Sequence, residues 1–354
     1  MTDTAPHPHG DAPTRLKLSA PADVVAAVPY LLGFQPASSV VLLSLRGARQ
    51  RVGLTLRADL PPPGEARNAV ALLAEQLCRN GAEAVIAVLY AQEADAADFW
   101  AALAEALADE ALVIREALRV ADGRWWSYFC DNPSCCPAAG TVILSPGESG
   151  GPSRVGAELV SAGMVALSSR EELAASVAAA GPDALAAVQA YLDPAARDIV
   201  RRVVQPGGLA ACRREWQRHV VGFVTQWSRQ IPPPVISDQQ LADLLIALAD
   251  IPTRDVAAEW SSSRGEEAAA SVQSLWRELT RRSPAPYDVA PATLLAHAAW
   301  HAGNGAFARM AVERALASDP TYRLAQLIER LLDEGVDPAK ARRLQQRGTR
   351  RRRR

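Results

Sequence analysis

Val40 to Tyr90 reads VVLLSLRGARQRVGLTLRADLPPPGEARNAVALLAEQLCRNGAEAVIAVLY, and this stretch decides the fold. Val40 to Leu45 and Val52 to Leu60 are β-branched and Leu-rich runs of strand length, separated by Arg46-Gly47-Ala48-Arg49. That pattern is a β-hairpin. Pro61-Pro62-Pro63-Gly64 stops the second strand, because proline has no N–H to give to a ladder. Ala66 to Arg79 then carries Ala and Leu at helical spacing, and Ala84 to Tyr90 is a short, wholly apolar run that fits a buried strand. A hairpin followed by helix and buried strand predicts a mixed sheet with helices on it.

The neighbouring segments extend the same sheet. Upstream, Ser19-Ala-Pro-Ala-Asp23 opens a helix that ends near Gly33, a left-handed cap, and Leu16 to Leu18 alternates like a short strand. Downstream, Asp95 to Ala108 is a helix, and Leu112 to Val120 and Arg124 to Phe129 are two strands joined at Asp122-Gly123. Ser145 to Ser153 has the Pro, Gly and Ser content of a linker. The expected layout is therefore α+β: a leader over 1–14, a mixed-sheet domain over 15–145, a linker over 146–153, an all-α domain over 154–338, and an Arg-rich tail over 339–354.

In the second half the periodicity is helical. Ser168 and Ser169 stand three residues ahead of Glu171 and Glu172 as capping boxes, and Asp193-Pro194 reads as an N-cap followed by a first-turn proline. Leu209, Cys212, Trp216, Val220, Phe223 and Trp227 recur at steps of three and four, one apolar helix face. Ala296, Gly303-Asn304, Ala308, Ala315-Leu316 and Pro320 sit where a tetratricopeptide repeat places its small, turning and terminating residues. Only one such unit is legible and a stable array needs about three, so either its neighbours are degenerate helical pairs or it is an ordinary helical hairpin.

Composition narrows the class of protein. Of 354 residues 49% are hydrophobic, which excludes wholesale disorder. The net charge is −1, yet the last 13 residues carry eight arginines and no acid, so the remainder stands at −9. An acidic body disfavours nucleic acid, and any such contact is expected from the tail, Arg350, Arg351, Arg352, Arg353 and Arg354. The first 14 residues lack the apolar core of an export signal and read as a disordered leader. Val24 to Leu45 is free of charge but broken by Pro29, Gly33, Gln35 and Pro36, which argues against a membrane span. The expectation is a cytoplasmic protein with no membrane contact, whose cysteines are reduced thiols or metal ligands.

The densest chemistry lies in Arg124 to Val142, RWWSYFCDNPSCCPAAGTV, where Cys130, Cys135 and Cys136 follow a run of aromatics. Thiolates so spaced suit zinc or reversible oxidation, whereas thiols acting as small apolar groups suit a buried, packed turn. Zinc would want a fourth ligand from Cys78, Cys212 or a second subunit, and adjacent cysteines do not easily face one ion. Arg57 and Asp59 end a strand, where ligand pockets gather in α/β sheets. An enzyme or redox protein would gather Arg57, Asp59 and the cysteine loop into one site. His297 and His301 share a helix face at chelating spacing but lack a third ligand, which favours a packing role. Gly147-Glu-Ser-Gly-Gly spells a nucleophile elbow around Ser149, in a Gly/Ser linker rather than between strand and helix.

Taken together, Pro29-Tyr-Leu-Leu-Gly-Phe34, Arg57-Ala-Asp-Leu-Pro61, Cys130 to Pro137 and Leu294 to Pro320 resemble the actinobacterial family known as domain of unknown function 4192. The resemblance runs from about Arg15 to Asp337 and implies a cytoplasmic bacterial protein of no assigned activity or cofactor. The residues by themselves point to a protein-interaction or scaffold role for the helical domain, with a protein partner.

Overall fold

The hairpin, the crossover helix and the buried strand form as the sequence predicts in the computed structural model, which describes residues 18–62, 64–143, 154–161, 164–263, 266–338 and 341. The chain divides into two compact units, 1–74 with 83–167 and 75–82 with 168–354.

In the first unit, helix α1 (Pro21–Leu32) ends on Gly33 at φ 81°, the left-handed cap expected there. Strands β1 (Ser39–Arg46) and β2 (Arg51–Asp59) pair antiparallel, with a bulge between Leu43 and Leu45. At the bulge the Ser44 hydroxyl accepts the Leu54 N–H at 2.7 Å, satisfying a donor that the ladder leaves. Helix α2 (Ala66–Arg79) leads to β3 (Ala84–Tyr90), and α3 (Glu93–Asp109) crosses over to β4 (Val113–Ala121). β3 and β4 are parallel, as such a crossover requires, while β1 and β3 are antiparallel. The full order is β2-β1-β3-β4-β5-β6, with β5 (Arg124–Ser127) and β6 (Thr141–Val142) at the far edge. Central β1 and β3 are buried on both faces, whereas edge β2 is exposed or half-exposed along its length. Asp122 and Gly123 join β4 to β5 at φ 49° and 70°, the two positive values that a type I′ turn needs.

Two expectations for this unit change in detail. β5 ends at Ser127, two residues early, and the paired β6 turns the cysteine segment into the loop of a hairpin. Helix α4 (Arg154–Ser161) does not open the helical domain at 154. Its Val155 and Leu159 pack on Ala27 of α1, and Leu167 forms a bridge to Phe34, so the first unit runs to 167. Two apolar residues four apart on α4 close a face of α1, and that contact decides the boundary. The predicted strand at Leu16 and the segments 1–14 and 146–153 fall outside the described residues, apart from Leu18.

The second unit is helical: α5 (Arg170–Ala175), α6 (Pro182–Val203), α7 (Gly208–Arg229), α8 (Asp238–Ala249), α9 (Ile251–Ser263), α10 (Glu266–Arg282), α11 (Val289–His301), α12 (Gly305–Ser318) and α13 (Arg323–Asp333). Ser169 caps α5, its hydroxyl accepting the Glu172 N–H at 3.2 Å, and the Glu172 carboxylate returns to Ser168. Asp193-Pro194 does not start a helix, because α6 continues through it. Both residues are exposed, so solvent serves the carbonyl that Pro194 leaves without a donor, and Asp193 instead accepts from Gln189 at 2.6 Å. On α7 the inward face is Cys212, Trp216, Val220, Val224 and Trp227, with Leu209 exposed. α11 and α12 form the predicted hairpin: Gly303 turns at φ 82°, the Asn304 side chain accepts the Phe307 N–H, and Ala308 and Ala315 are fully buried. The next residue, Arg309, is half-buried and pairs with Asp333. Among the described residues no helix is long and apolar enough to cross a membrane.

Candidate functional site

The cysteine loop is held at both ends by the aromatic residues that precede it. β5 alternates Trp125 into the core and Trp126 to the other face. Arg119 lies opposite Trp126 in the β4–β5 register, and its guanidinium carbon sits 3.8 Å from a Trp126 ring centroid. The indole N–H of Trp126 donates to the Ala138 carbonyl at 3.0 Å, and Arg124 donates to the Gly140 carbonyl at 3.0 Å. These two bonds fasten the returning limb. Gly140, at φ 78°, has no room for a side chain, since a Cβ there would stand 2.5 Å from the Trp126 ring. On the outgoing limb Tyr128 stacks on Trp100 at 4.7 Å between centroids, and Phe129 meets the same ring edge-on at 6.0 Å.

Between these anchors Asn132 shapes a tight turn. Its side chain accepts the Ser134 N–H at 3.0 Å, and its carbonyl accepts the N–H of Cys135 at 3.2 Å and of Cys136 at 2.8 Å. The turn brings Cys135 and Cys136 back over Cys130. All three sulfurs lie within 4.8 Å of one another, and the Sγ atoms of Cys130 and Cys135 are 3.1 Å apart. The adjacent pair therefore does face one point, against expectation, because the turn rotates both side chains to one side.

The loop is also not a buried, packed turn. Cys135 is exposed and Cys130 and Cys136 are half-buried. Hydrogen bonds from the Cys135 and Cys136 thiols lower the pKa of Cys130, whereas Cys135 is raised and Cys136 is pushed up to about 12 by the neighbouring sulfurs. The hydrogen bonds thus favour the thiolate form at Cys130, with Cys135 and Cys136 as the S–H donors to it. Such a set can bind a soft metal or attack a disulfide. Neither Cys78 nor Cys212 joins the group among the described residues, and Cys212 is buried in the α7 core.

Arg57 and Asp59 do not share this site. They pair with each other at 2.5 Å on one face of β2, with Arg57 packed near the Phe34 ring. β2 stands four sheet positions from β5, about 19 Å at the usual strand spacing, so the composite site of Arg57, Asp59 and the cysteines does not form. Neither residue lines the cleft that opens nearby at the carboxyl ends of β3 and β4. Sequence reasoning missed the residues that do, Tyr90, Asp95, Asp98 and Asp122, because they come from three separate elements and match no motif. His297 and His301 face each other with Nε2 atoms 3.1 Å apart, and no third His, Cys, Asp or Glu completes a metal set there among the described residues. Burial and the His301 charge push the His297 imidazole down to about 3. Ser149 and the tail arginines Arg350 to Arg354 lie outside the described residues.

No curated protein and no solved structure matches the chain. One family does, over residues 21–339, a span that takes in the sheet, the cysteine loop and the helical hairpin. The chain belongs to the family described as a domain of unknown function, DUF4192.

Proposed function

We propose that this protein binds a soft metal, zinc in the first instance, through Cys130, Cys135 and Cys136. The observation that carries the reading is the convergence of three sulfurs within 4.8 Å on a braced loop. Three thiolates around one tetrahedral zinc, at Zn–S of about 2.3 Å, stand about 3.8 Å apart, so small side-chain rotations suffice. With three protein ligands the fourth position is open to water or a small ligand, the arrangement of catalytic rather than structural zinc sites. A cytoplasmic setting, where thiols stay reduced, belongs to this reading.

The test is metal analysis of protein purified under reducing conditions in zinc-containing medium. The expected result is one zinc per chain, lost in Cys135→Ser with no change in helical content. Reduced, folded protein that takes up no zinc would overturn the reading, and a Cys130–Cys135 disulfide in its place would move the site to thiol redox chemistry.

A second reading, a protein-contact role for the helical unit, is supported by Ile231 and Val235. These side chains are 97% and 94% exposed on either side of Pro232 to Pro234. A partner held there would be lost from the Ile231→Ser, Val235→Ser double variant and kept by Cys135→Ser. The reverse pattern would refute it.

A further inference from the structure

A cleft of about 530 Å³ opens in the first unit at the carboxyl ends of β2, β3 and β4, the end of an α/β sheet where loops leave room for ligands. Its apolar lining includes Phe99 and Val120, which are 3% and 7% exposed. Its charged side chains are Asp95 and Asp98 of α3 and Asp122 of the β4–β5 turn, and among the described lining residues there is no Lys, Arg or His. Asp122 is held in place by the Gln92 amide, which donates to it at 3.0 Å. Tyr90, the last residue of β3, also lines the cleft; it is 5% exposed and its hydroxyl has no hydrogen-bond partner among the described residues. A buried hydroxyl without a partner is costly, and a ligand group that pairs with it recovers that cost.

We infer that this cleft is a binding site for a small organic cation, an amine with an apolar body. Three acids without a base repel phosphate and carboxylate ligands. The N-terminus of α3, which would otherwise attract an anion, already carries Glu93 and Asp95 in its first turn. A bare divalent cation is a poorer fit, because no three carboxylates among the described residues converge as the cysteine sulfurs do. An ammonium group instead needs acceptors around it rather than ligands on one point, and the exposed Asp95 and Asp98 supply them one turn apart. The apolar body then covers Phe99 and Val120, and the ammonium donates one of its N–H groups to the Tyr90 hydroxyl oxygen. The site is independent of the cysteine loop.

The test uses the full chain and three probes of one shape: phenethylamine, 2-phenylethanol and phenylacetate. Ligand-observed NMR titration should show phenethylamine binding in the millimolar range or tighter, with the neutral and anionic probes weaker by about tenfold or more, the factor for a charged hydrogen bond. Asp95 and Asp98 are exposed, so the double variant Asp95→Asn, Asp98→Asn keeps the fold, and it should weaken the amine by about tenfold as well. Tyr90→Phe keeps the ring and should weaken binding severalfold without lowering the Tm of the free protein. Three results would each overturn the inference: no amine binding by folded wild type, equal binding of all three probes, or full amine affinity in the double Asn variant.

Discussion

Replacing Gly140 by Ala should damage the cysteine loop in a way that a matched glycine isolates. Gly140 and Gly123 both sit at positive φ, 78° and 70°, in the same unit. Any L side chain there costs about 1–2 kcal/mol of backbone strain. At Gly123 that is the whole effect, because a new Cβ meets no described residue within 4 Å. At Gly140 the Cβ would fall 2.5 Å and 2.6 Å from two carbons of the Trp126 indole, so the ring must move. Moving it breaks the bond from its N–H to Ala138, worth about 1 kcal/mol, and its stacking under Arg119, worth about 0.5–1 kcal/mol. Gly140→Ala should therefore cost about 3 kcal/mol, roughly twice Gly123→Ala. Urea unfolding of the full chain measures both on the first unit's transition, and competition with a chelator measures zinc retention. Equal costs for the two variants would refute the claim that Trp126 braces the loop.

The helical hairpin gives a second contrast: Ala308, with no exposed surface, should tolerate Leu at a cost of about 1–3 kcal/mol through overpacking, while Arg309→Leu loses only its pair with exposed Asp333, at most about 1 kcal/mol. Thermal melts of the full chain compare them, and equal tolerance would remove the close helix contact. His297 predicts acid sensitivity of the helical unit. Its folded pKa of about 3 lies below the usual 6.5, so the unfolded chain binds the extra proton and stability falls as pH drops from 6.5 toward 3. Between pH 7 and 5 wild type should lose about 2 kcal/mol more than His297→Gln, read from denaturant unfolding at each pH, and parallel pH profiles would count against it.

The local elements of this protein are written in short-range patterns. The hairpin, the type I′ turn at Asp122-Gly123, the Gly33 cap and the α11–α12 hairpin each rest on residues within a few positions of one another, so the sequence alone determines them. The α+β class follows from the order of those elements. What sequence could not decide depended on residues meeting across long separations. Whether Pro194 starts a helix or lies inside one is settled by which side of α6 faces solvent, and the unit boundary at 167 by Val155 and Leu159 reaching α1. The cysteine spacing was visible, yet its exposure was not, because burial depends on what packs above the loop. The separation of Arg57 and Asp59 from that loop came from sheet order, in which chain neighbours and spatial neighbours differ. Only the tertiary structure assembled Tyr90, Asp95, Asp98 and Asp122 around one cleft, since the parallel crossover from β3 to β4 brings their elements to the same end of the sheet.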